Sequence, residues 1–244
     1  MSTLLFILLL TLSCATVSED TNLKFRTEKA IQFRVAHYFL KSGPLSKKPK
    51  ISIFIHGAGS SSSELMQVFN PSNNQIFVFV DSPYFDESSL ERGHKGYLAW
   101  PRKKGVTENY NLIQESIDLQ SEYLSKISKQ IQTQYNANSK INIIGFSQGG
   151  VQAYSFASDF GDTVEKLILW ATPIKNLTFG KVVEKNVKVT ILHNLDDDNV
   201  SIDNSTWLHE KLQLLSIASA LFKGKGLHKL TNLQISQILG ELQE

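Results

Sequence analysis

The sequence has little cysteine and no strong excess of charge, and each shortage excludes a class of protein. Its 244 residues include a single cysteine, Cys14, so the chain cannot close an internal disulfide or build a zinc site from several thiolates. Lysine and arginine number 25 against 23 aspartates and glutamates. With basic residues in runs no longer than Arg102-Lys103-Lys104, this balance argues against a dedicated nucleic-acid-binding protein. A hydrophobic content of 41% nevertheless excludes a disordered or fibrous chain.

The apolar run at the N-terminus is too short to span a bilayer. Residues 4–12 are almost entirely apolar, whereas a membrane-spanning helix needs about 20 such residues. Small residues follow at Ser13 and Ala15, at the −3 and −1 positions of a cleavage site. We therefore predict a signal peptide over residues 1–15 and a secreted protein. The alternatives are an uncleaved anchor and a lipidation motif ending at Cys14.

Three Asn-x-Ser/Thr triplets are compatible with passage through a secretory route. They begin at Asn176, Asn199 and Asn204, and each is a candidate N-glycosylation site. Several such triplets arise by chance in a chain this rich in asparagine and serine, so they add little weight by themselves.

The remainder of the chain alternates strand and helix patterns, which predicts one α/β domain over residues 16–244 with a mostly parallel sheet and helices on both faces. Apolar positions at helical spacing predict a long helix over residues 113–135 and a last helix over 233–242. Alternating residues 31–35 predict an edge strand. Short continuous apolar runs, typical of strands buried on both faces, cover residues 51–55, 76–80, 141–144, 167–170 and 187–192.

One motif lies where a predicted strand meets a predicted helix. Residues 141–144 run into Gly145-Phe146-Ser147-Gln148-Gly149-Gly150. Gly-x-Ser-x-Gly in this setting is the nucleophile-elbow pattern, whose turn is too tight for side chains two residues either side of the serine. Such a turn exposes the hydroxyl at the carboxyl edge of the sheet. Ser147 is therefore the candidate nucleophile, and the alternative is a surface serine in a glycine-rich turn.

A serine nucleophile needs a histidine base, and the base needs an acid to orient it. In sheets of this kind the chain order is serine, acid, histidine. Asp196, Asp197 and Asp198 follow the fifth predicted strand, and any of the three suits the acid. Only His209 and His228 come later. His209 lies in a helical segment, whereas His228 lies in a glycine-bracketed loop from which it can reach another strand end, so His228 is the candidate base.

The first buried strand ends in a small-residue loop that can bind an oxyanion. After His56 the chain continues Gly57-Ala58-Gly59, which lets the Ala58 N–H point at a developing negative charge, with the Gln148 N–H as second donor. The loop lacks the lysine of a phosphate-binding loop and the third glycine of a dinucleotide fingerprint. A metal site built on His193 and the neighbouring carboxylates is a weaker alternative, because no second histidine lies nearby.

Four of these segments together resemble the phospholipase/carboxylesterase family of α/β-hydrolases, which includes the acyl-protein thioesterases. The resemblance covers about residues 51–242 and is most specific at the hexapeptide around Ser147. It implies cofactor-free hydrolysis of acyl esters or thioesters, with an α/β-hydrolase fold, Ser147 as nucleophile, His228 as base and Ala58 and Gln148 as the oxyanion hole. The family pattern His-Gly-x-x-Asp-x-x-Val-Pro places the acid at Asp197. The chain departs from the family's motifs at Asn194, Ser201 and Leu227.

The segment after the second buried strand carries candidate substrate-binding residues. Residues 82–105 are long for such a connection and aromatic; we expect them to line an acyl pocket that includes Trp100, although Trp100 could equally belong to the core. The small net charge suits a neutral or zwitterionic acyl ester, with transient contact to a membrane surface. Two alternatives remain: an esterase acting on carbohydrate esters or polyesters, and a non-catalytic lipid- or partner-binding protein of the same fold.

Overall fold

A computed structural model describes residues 38–85, 97–98, 110–175 and 180–243. In chain order, the elements are β1 (Tyr38–Ser42), β2 (Lys50–Ile55), α1 (Ser62–Val68), β3 (Gln75–Val80), β4 (Tyr84–Phe85), β5 (Tyr97–Leu98), α2 (Tyr110–Tyr135), β6 (Ile141–Phe146), α3 (Gln148–Asp159), a 3₁₀ turn (Gly161–Thr163), β7 (Val164–Trp170), β8 (Lys188–Asn194), α4 (Asp203–Leu214), β9 (Ser219–Gly224) and α5 (Asn232–Gln243).

Seven of these strands form one sheet in the order β1-β3-β2-β6-β7-β8-β9. β1 runs antiparallel to β3, and every other neighbouring pair is parallel. β4 and β5 form a separate short antiparallel pair. Because the parallel strands share one direction, the loops that follow β2, β6, β8 and β9 all leave the same edge of the sheet, which is where open α/β sheets carry their functional sites.

Alternate side chains of the central strands fill two hydrophobic cores, one on each face of the sheet. One core takes Ile53, Ile143 and Leu167 and is covered by α2, α3 and α4. The other takes Phe54 and Ile144 and is covered by α1 and α5. Continuous apolar runs are therefore required in these strands, because both faces of each strand are buried.

The five buried strands and both helices predicted from the sequence are confirmed, with ends shifted by a few residues. The apolar stripe of α2 is largely buried, whereas Leu233, in the first turn of α5, is 67% exposed. Strands β1 and β9 were not predicted, because both are partly exposed edge strands without a continuous apolar run. The predicted strand at residues 31–35 and the predicted signal peptide at residues 1–15 lie outside the described residues.

Among the described residues, the helices lack the combination of length and apolar character needed to cross a membrane.

Candidate active site

Ser147 occupies a sharp turn between β6 and α3. Its backbone has φ 50° and ψ −119°, a conformation that residues other than glycine rarely adopt. The turn is fixed at both ends, since the Ser147 N–H donates to the Trp170 carbonyl at 2.8 Å and the Ser147 carbonyl accepts from the Gly150 N–H at 3.0 Å. A strained non-glycine residue held by its neighbours in this way is typical of functional sites.

Two glycines make this turn sterically feasible. A Cβ on Gly145 would collide with the backbone of Gly149, and a Cβ on Gly149 would collide with the carbonyl groups of Ile55 and His56. The second collision shows that the start of α3 packs directly against the end of β2. The glycines of the predicted motif are therefore required by close backbone approach on two sides of Ser147.

The structure brings together Asp197 and His228, which are 31 residues apart in the chain. The His228 Nδ1 lies 2.8 Å from Oδ2 and 3.0 Å from Oδ1 of Asp197. The Asp197 side chain is only 1% exposed, whereas that of His228 is 15% exposed. The acid is thus buried beneath a histidine that still reaches solvent.

The contacts of His228 define which ring nitrogen carries the hydrogen and hold the ring against Phe146. Because the carboxylate of Asp197 can only accept, Nδ1 of His228 carries the hydrogen, and Nε2 is the acceptor when the ring is neutral. The His228 ring packs on Phe146, the residue before Ser147, with 4.9 Å between ring centroids. In the described part of the chain, the Ser147 hydroxyl makes no hydrogen bond, and contacts of this kind often tighten only on substrate binding.

The Asp197 carboxylate is held in its ionised form. Burial by itself raises its pKa, but hydrogen bonds from the Val200 N–H, from His228 and from the Asn199 N–H together keep that pKa below its ordinary value. The two backbone donors lie 2.8 Å and 2.9 Å from Oδ1. A tight turn after β8 therefore solvates the acid and leaves Oδ2 directed at His228.

His193 supports this turn from its buried side. Burial is the main cause that lowers its pKa. Its Nε2 lies 2.8 Å from the Val200 carbonyl, so Nε2 carries the hydrogen, and Nδ1 accepts from the Ser205 hydroxyl at 2.6 Å. Both ring nitrogens of His193 are thus used within the protein, and the role of this residue is to hold the turn that contains Asp197.

The loop that follows β2 lies against the Ser147 turn. A Cβ built on Gly57 would lie 3.2 Å from the Cβ of Ser147. His56 fixes the loop: its Nε2 accepts from the Ser82 N–H at 3.2 Å, so its Nδ1 carries the hydrogen and donates to the Gly57 carbonyl at 2.8 Å. Burial lowers the pKa of His56 and favours this neutral form. The loop that contains Ala58 thus packs on the Ser147 turn at Gly57, and Gln148 follows Ser147 directly.

The remaining candidate residues predicted from the sequence do not contact His228 or lie outside the described residues. Asp196 is exposed and accepts from the N–H groups of Gly226 and Leu227 at 2.8 Å and 3.3 Å, and Asp198 is exposed. His209 bonds Ser219 at the opposite edge of the sheet, where β9 begins. Trp100 and the sequon at Asn176 lie outside the described residues.

Two residues that support this site, His56 and Asn194, were not predicted from the sequence. His56 belonged to a recognised motif, but nothing local indicated that it would bind across to Ser82. Asn194 departs from the family pattern, which has glycine at this position, and its side chain contacts the loop that carries His228. Their positions at the ends of β2 and β8 are the one signal that could have identified them.

Known proteins resemble this chain in sequence and in fold. A model of the phospholipase/carboxylesterase family matches residues 42–215, a segment that contains Ser147 and Asp197 and ends before His228. None of the curated proteins matches the chain.

Similar solved structures share the fold at low sequence identity. The Bacillus cereus carboxylesterase has 14% identity and a TM-score of 0.66, over 85% of this chain and 93% of its own. Esterase PE8 has 17% identity and a TM-score of 0.69, over 85% and 98%. The acyl-protein thioesterase 2 of Zea mays has 14% identity and a TM-score of 0.60, over 86% and 98%.

The family model spans most of the chain, and the strand order, the turn at Ser147 and the similar structures agree with it. The chain belongs to the phospholipase/carboxylesterase family and has the α/β-hydrolase fold.

Proposed function

We propose that this protein is a serine hydrolase that cleaves carboxylic esters or thioesters of acyl chains through an acyl-enzyme. The observation that carries the proposal is the strained turn at Ser147 beside the hydrogen-bonded pair of Asp197 and His228. The pair supplies an unprotonated ring nitrogen on a histidine that packs against Phe146, the residue before Ser147, and activation of the Ser147 hydroxyl requires such a base within reach.

In the first half of the reaction, Ser147 Oγ attacks the acyl carbonyl carbon and His228 Nε2 takes the hydroxyl proton. The bond from that carbon to the alcohol oxygen or thiol sulfur then breaks, and His228 returns the proton to the leaving group. In the second half, water attacks the acyl-enzyme and gives a proton to His228, the bond to Ser147 Oγ breaks, and Ser147 recovers its proton. Throughout, Asp197 stays ionised and stabilises the imidazolium.

The negative charge that develops on the carbonyl oxygen is stabilised by the backbone N–H groups of Ala58 and Gln148. Two observations support this assignment: the loop at Gly57 packs on Ser147, and Gln148 follows Ser147 directly as the first residue of α3, so its backbone N–H lies at the N-terminal end of that helix. Loss of one such donor typically costs about 10²–10³ in kcat.

A fluorophosphonate probe tests the proposal directly, because it labels only an activated serine. The folded protein is expected to be labelled, and Ser147→Ala is expected to lose labelling and aryl-ester hydrolysis together. Ser158→Ala is a matched control, since Ser158 lies on the same helix and bonds only the Tyr154 carbonyl among the described residues. Folded wild-type protein that takes up no probe would contradict the proposal and favour a non-catalytic member of the fold.

The acyl group is identified by kinetics. A chain-length series of aryl esters, a lysophospholipid and an acyl thioester are compared by kcat/KM. Preference for acyl substrates that increases with chain length supports the proposed class. Activity confined to acetylated sugars or to polyesters contradicts it in favour of the alternative esterase.

We propose in addition that residues 1–15 are a cleaved signal peptide. The apolar stretch of residues 4–12 and the small residues before the cleavage point support this. Expressed in a eukaryotic secretory host, the protein is expected in the medium with Thr16 at its N-terminus. Retention of residues 1–15, or of the protein in the cell, would contradict the proposal.

A further inference from the structure

The side chain of Asn194 joins the end of β8 to the loop that carries His228. Asn194 is 1% exposed. Its Nδ2 donates to the carbonyl of Leu227 at 2.8 Å and to the carbonyl of Lys229 at 3.0 Å. These two carbonyls belong to the residues on either side of His228, so one amide group fixes the backbone of the histidine from both directions.

The remaining atom of the Asn194 amide is used by the helix that follows this loop. Its Oδ1 accepts from Gln234 Nε2 at 3.0 Å. Gln234 Oε1 in turn accepts from the Thr231 N–H, and Thr231 Oγ1 accepts from the Gln234 N–H. This reciprocal pair is a capping box at the start of α5. Both N–H groups and the oxygen of the Asn194 amide are thus bonded, and the orientation of the amide is unambiguous because carbonyl oxygens face Nδ2.

The chain from the end of β9 to His228 accommodates the Asn194 amide because it has glycine at two positions that lie against it. A Cβ built on Gly224 would lie 2.7 Å from Asn194 Oδ1, and one built on Gly226 would lie 3.3 Å from Asn194 Nδ2. Any larger side chain at Gly224 would press against the amide oxygen. The two glycines therefore complement Asn194 as well as shaping the loop.

The backbone of the loop is also strained next to the histidine. Leu227 has φ 57°, a left-handed conformation that a leucine rarely adopts, and such residues cost about 1–3 kcal/mol unless the surroundings hold them. Asp196 bonds the N–H of Leu227 from the exposed side, and Asn194 bonds its carbonyl from the buried side. Without these contacts we expect Leu227, the residue before His228, to leave this left-handed conformation.

We propose that Asn194 is a positioning residue for His228, acting through its bonds to the Leu227 and Lys229 carbonyls. Asn194 lies three residues before Asp197, so the same strand end fixes both the carboxylate that orients the imidazole and the backbone that carries it. Asp197 alone fixes only the ring, which can follow a displaced backbone. This inference rests on the proposed function, in which His228 is the base.

Two substitutions test it. Asn194→Ala removes the amide, and Asn194→Asp keeps its size and its acceptor toward Gln234 while replacing the donor by an oxygen. Both are expected to lower kcat for a short aryl ester by about 10- to 100-fold, as for a catalytic group displaced by about 1 Å. KM is expected to change far less, because Asn194 does not face the substrate.

Gln75→Ala is the matched control. Gln75 is another buried amide that binds α5, but at the other end of the helix and the opposite edge of the sheet, through the Leu242 carbonyl at 2.7 Å. We expect it to lower the melting temperature as Asn194→Ala does, while kcat stays within about twofold of wild type, as for distant independent sites. Equal losses of kcat in the two alanine variants, or a kcat within about twofold of wild type in both Asn194 variants, would overturn the proposal.

A second measurement separates this inference from the proposed function. The Nδ1–H of His228 gives a nitrogen-correlated proton signal in NMR whether or not the protein is active. We expect this signal to weaken or disappear in Asn194→Ala and to persist in Gln75→Ala. If the wild-type protein is inactive, the function fails but the positioning is still tested. An unchanged signal in Asn194→Ala would refute the positioning even in an active enzyme.

Discussion

Replacing Asp197 by asparagine is expected to change the tautomer of His228, so that the ring hydrogen moves from Nδ1 to Nε2. The N–H groups of Val200 and Asn199 point at Oδ1 from 2.8 Å and 2.9 Å, so they hold the amide oxygen of the new side chain at that position. Its NH₂ group then takes the place of Oδ2, which lies 2.8 Å from His228 Nδ1. A donor facing Nδ1 moves the imidazole hydrogen to Nε2, the nitrogen that must accept the proton of Ser147.

The expected loss of activity follows from this change of tautomer. With the wrong tautomer of the base, kcat/KM is expected to fall by about 10⁴-fold, or about 5.5 kcal/mol of activation free energy, which is the loss typical of this substitution in a serine–histidine–aspartate triad. The backbone contacts of the turn survive, so we expect the fold to be retained. Hydrolysis of an aryl acetate, with circular dichroism to verify folding, measures both.

Asp198→Asn is the control for this experiment. Asp198 is the exposed neighbour of Asp197, and its substitution removes the same charge without touching His228. We expect it to keep nearly all activity. If Asp197→Asn retained activity within about tenfold of wild type while Ser147→Ala were inactive, the assignment of Asp197 as the orienting acid would be refuted.

Three further predictions concern the pocket, pH and the turn. Trp100→Ala is expected to raise KM for long-chain esters more than for acetyl esters, and equal effects would contradict a role in the acyl pocket. Burial lowers the pKa of His56 and of His193 in the folded protein. Because the unfolded chain takes up protons on these histidines near pH 6.5, the free energy of unfolding should fall as the pH drops below about 6.5. Urea titrations at several pH values measure this, and a flat profile would contradict the lowered pKa values. In a thermal unfolding assay, Gly149→Ala is expected to destabilise the protein by at least about 2 kcal/mol, because the added Cβ would collide with backbone atoms. Gly240→Ala is the control: Gly240 lies inside α5 with open space around it, so the substitution should stabilise the protein by about 0.5–1 kcal/mol.

Features set by local pattern were predictable from the sequence. The strands around Ile53 and Ile143 could be identified because burial on both faces demands continuous apolar runs. The turn at Ser147 could be identified because its geometry requires glycine at 145 and 149. Strand β9 escaped prediction, since an edge strand with one exposed face carries no such run.

The sequence by itself determined the α/β class and the tight turn at Ser147, because each depends on a pattern of neighbouring residues. The residues alone left three consecutive aspartates open and the family resemblance favoured Asp197, but only the tertiary structure shows that Asp197 is the one that contacts His228. That choice depends on the turn after β8, where Asp197 is directed inward by the Val200 N–H while Asp196 bonds Gly226 across to the β9 side. It depends equally on the pairing of β8 with β9, which places Asn194 beside Gly224 and so beneath the histidine loop. Contacts between residues about 30 positions apart cannot be predicted from a local sequence pattern, because they arise from strand register.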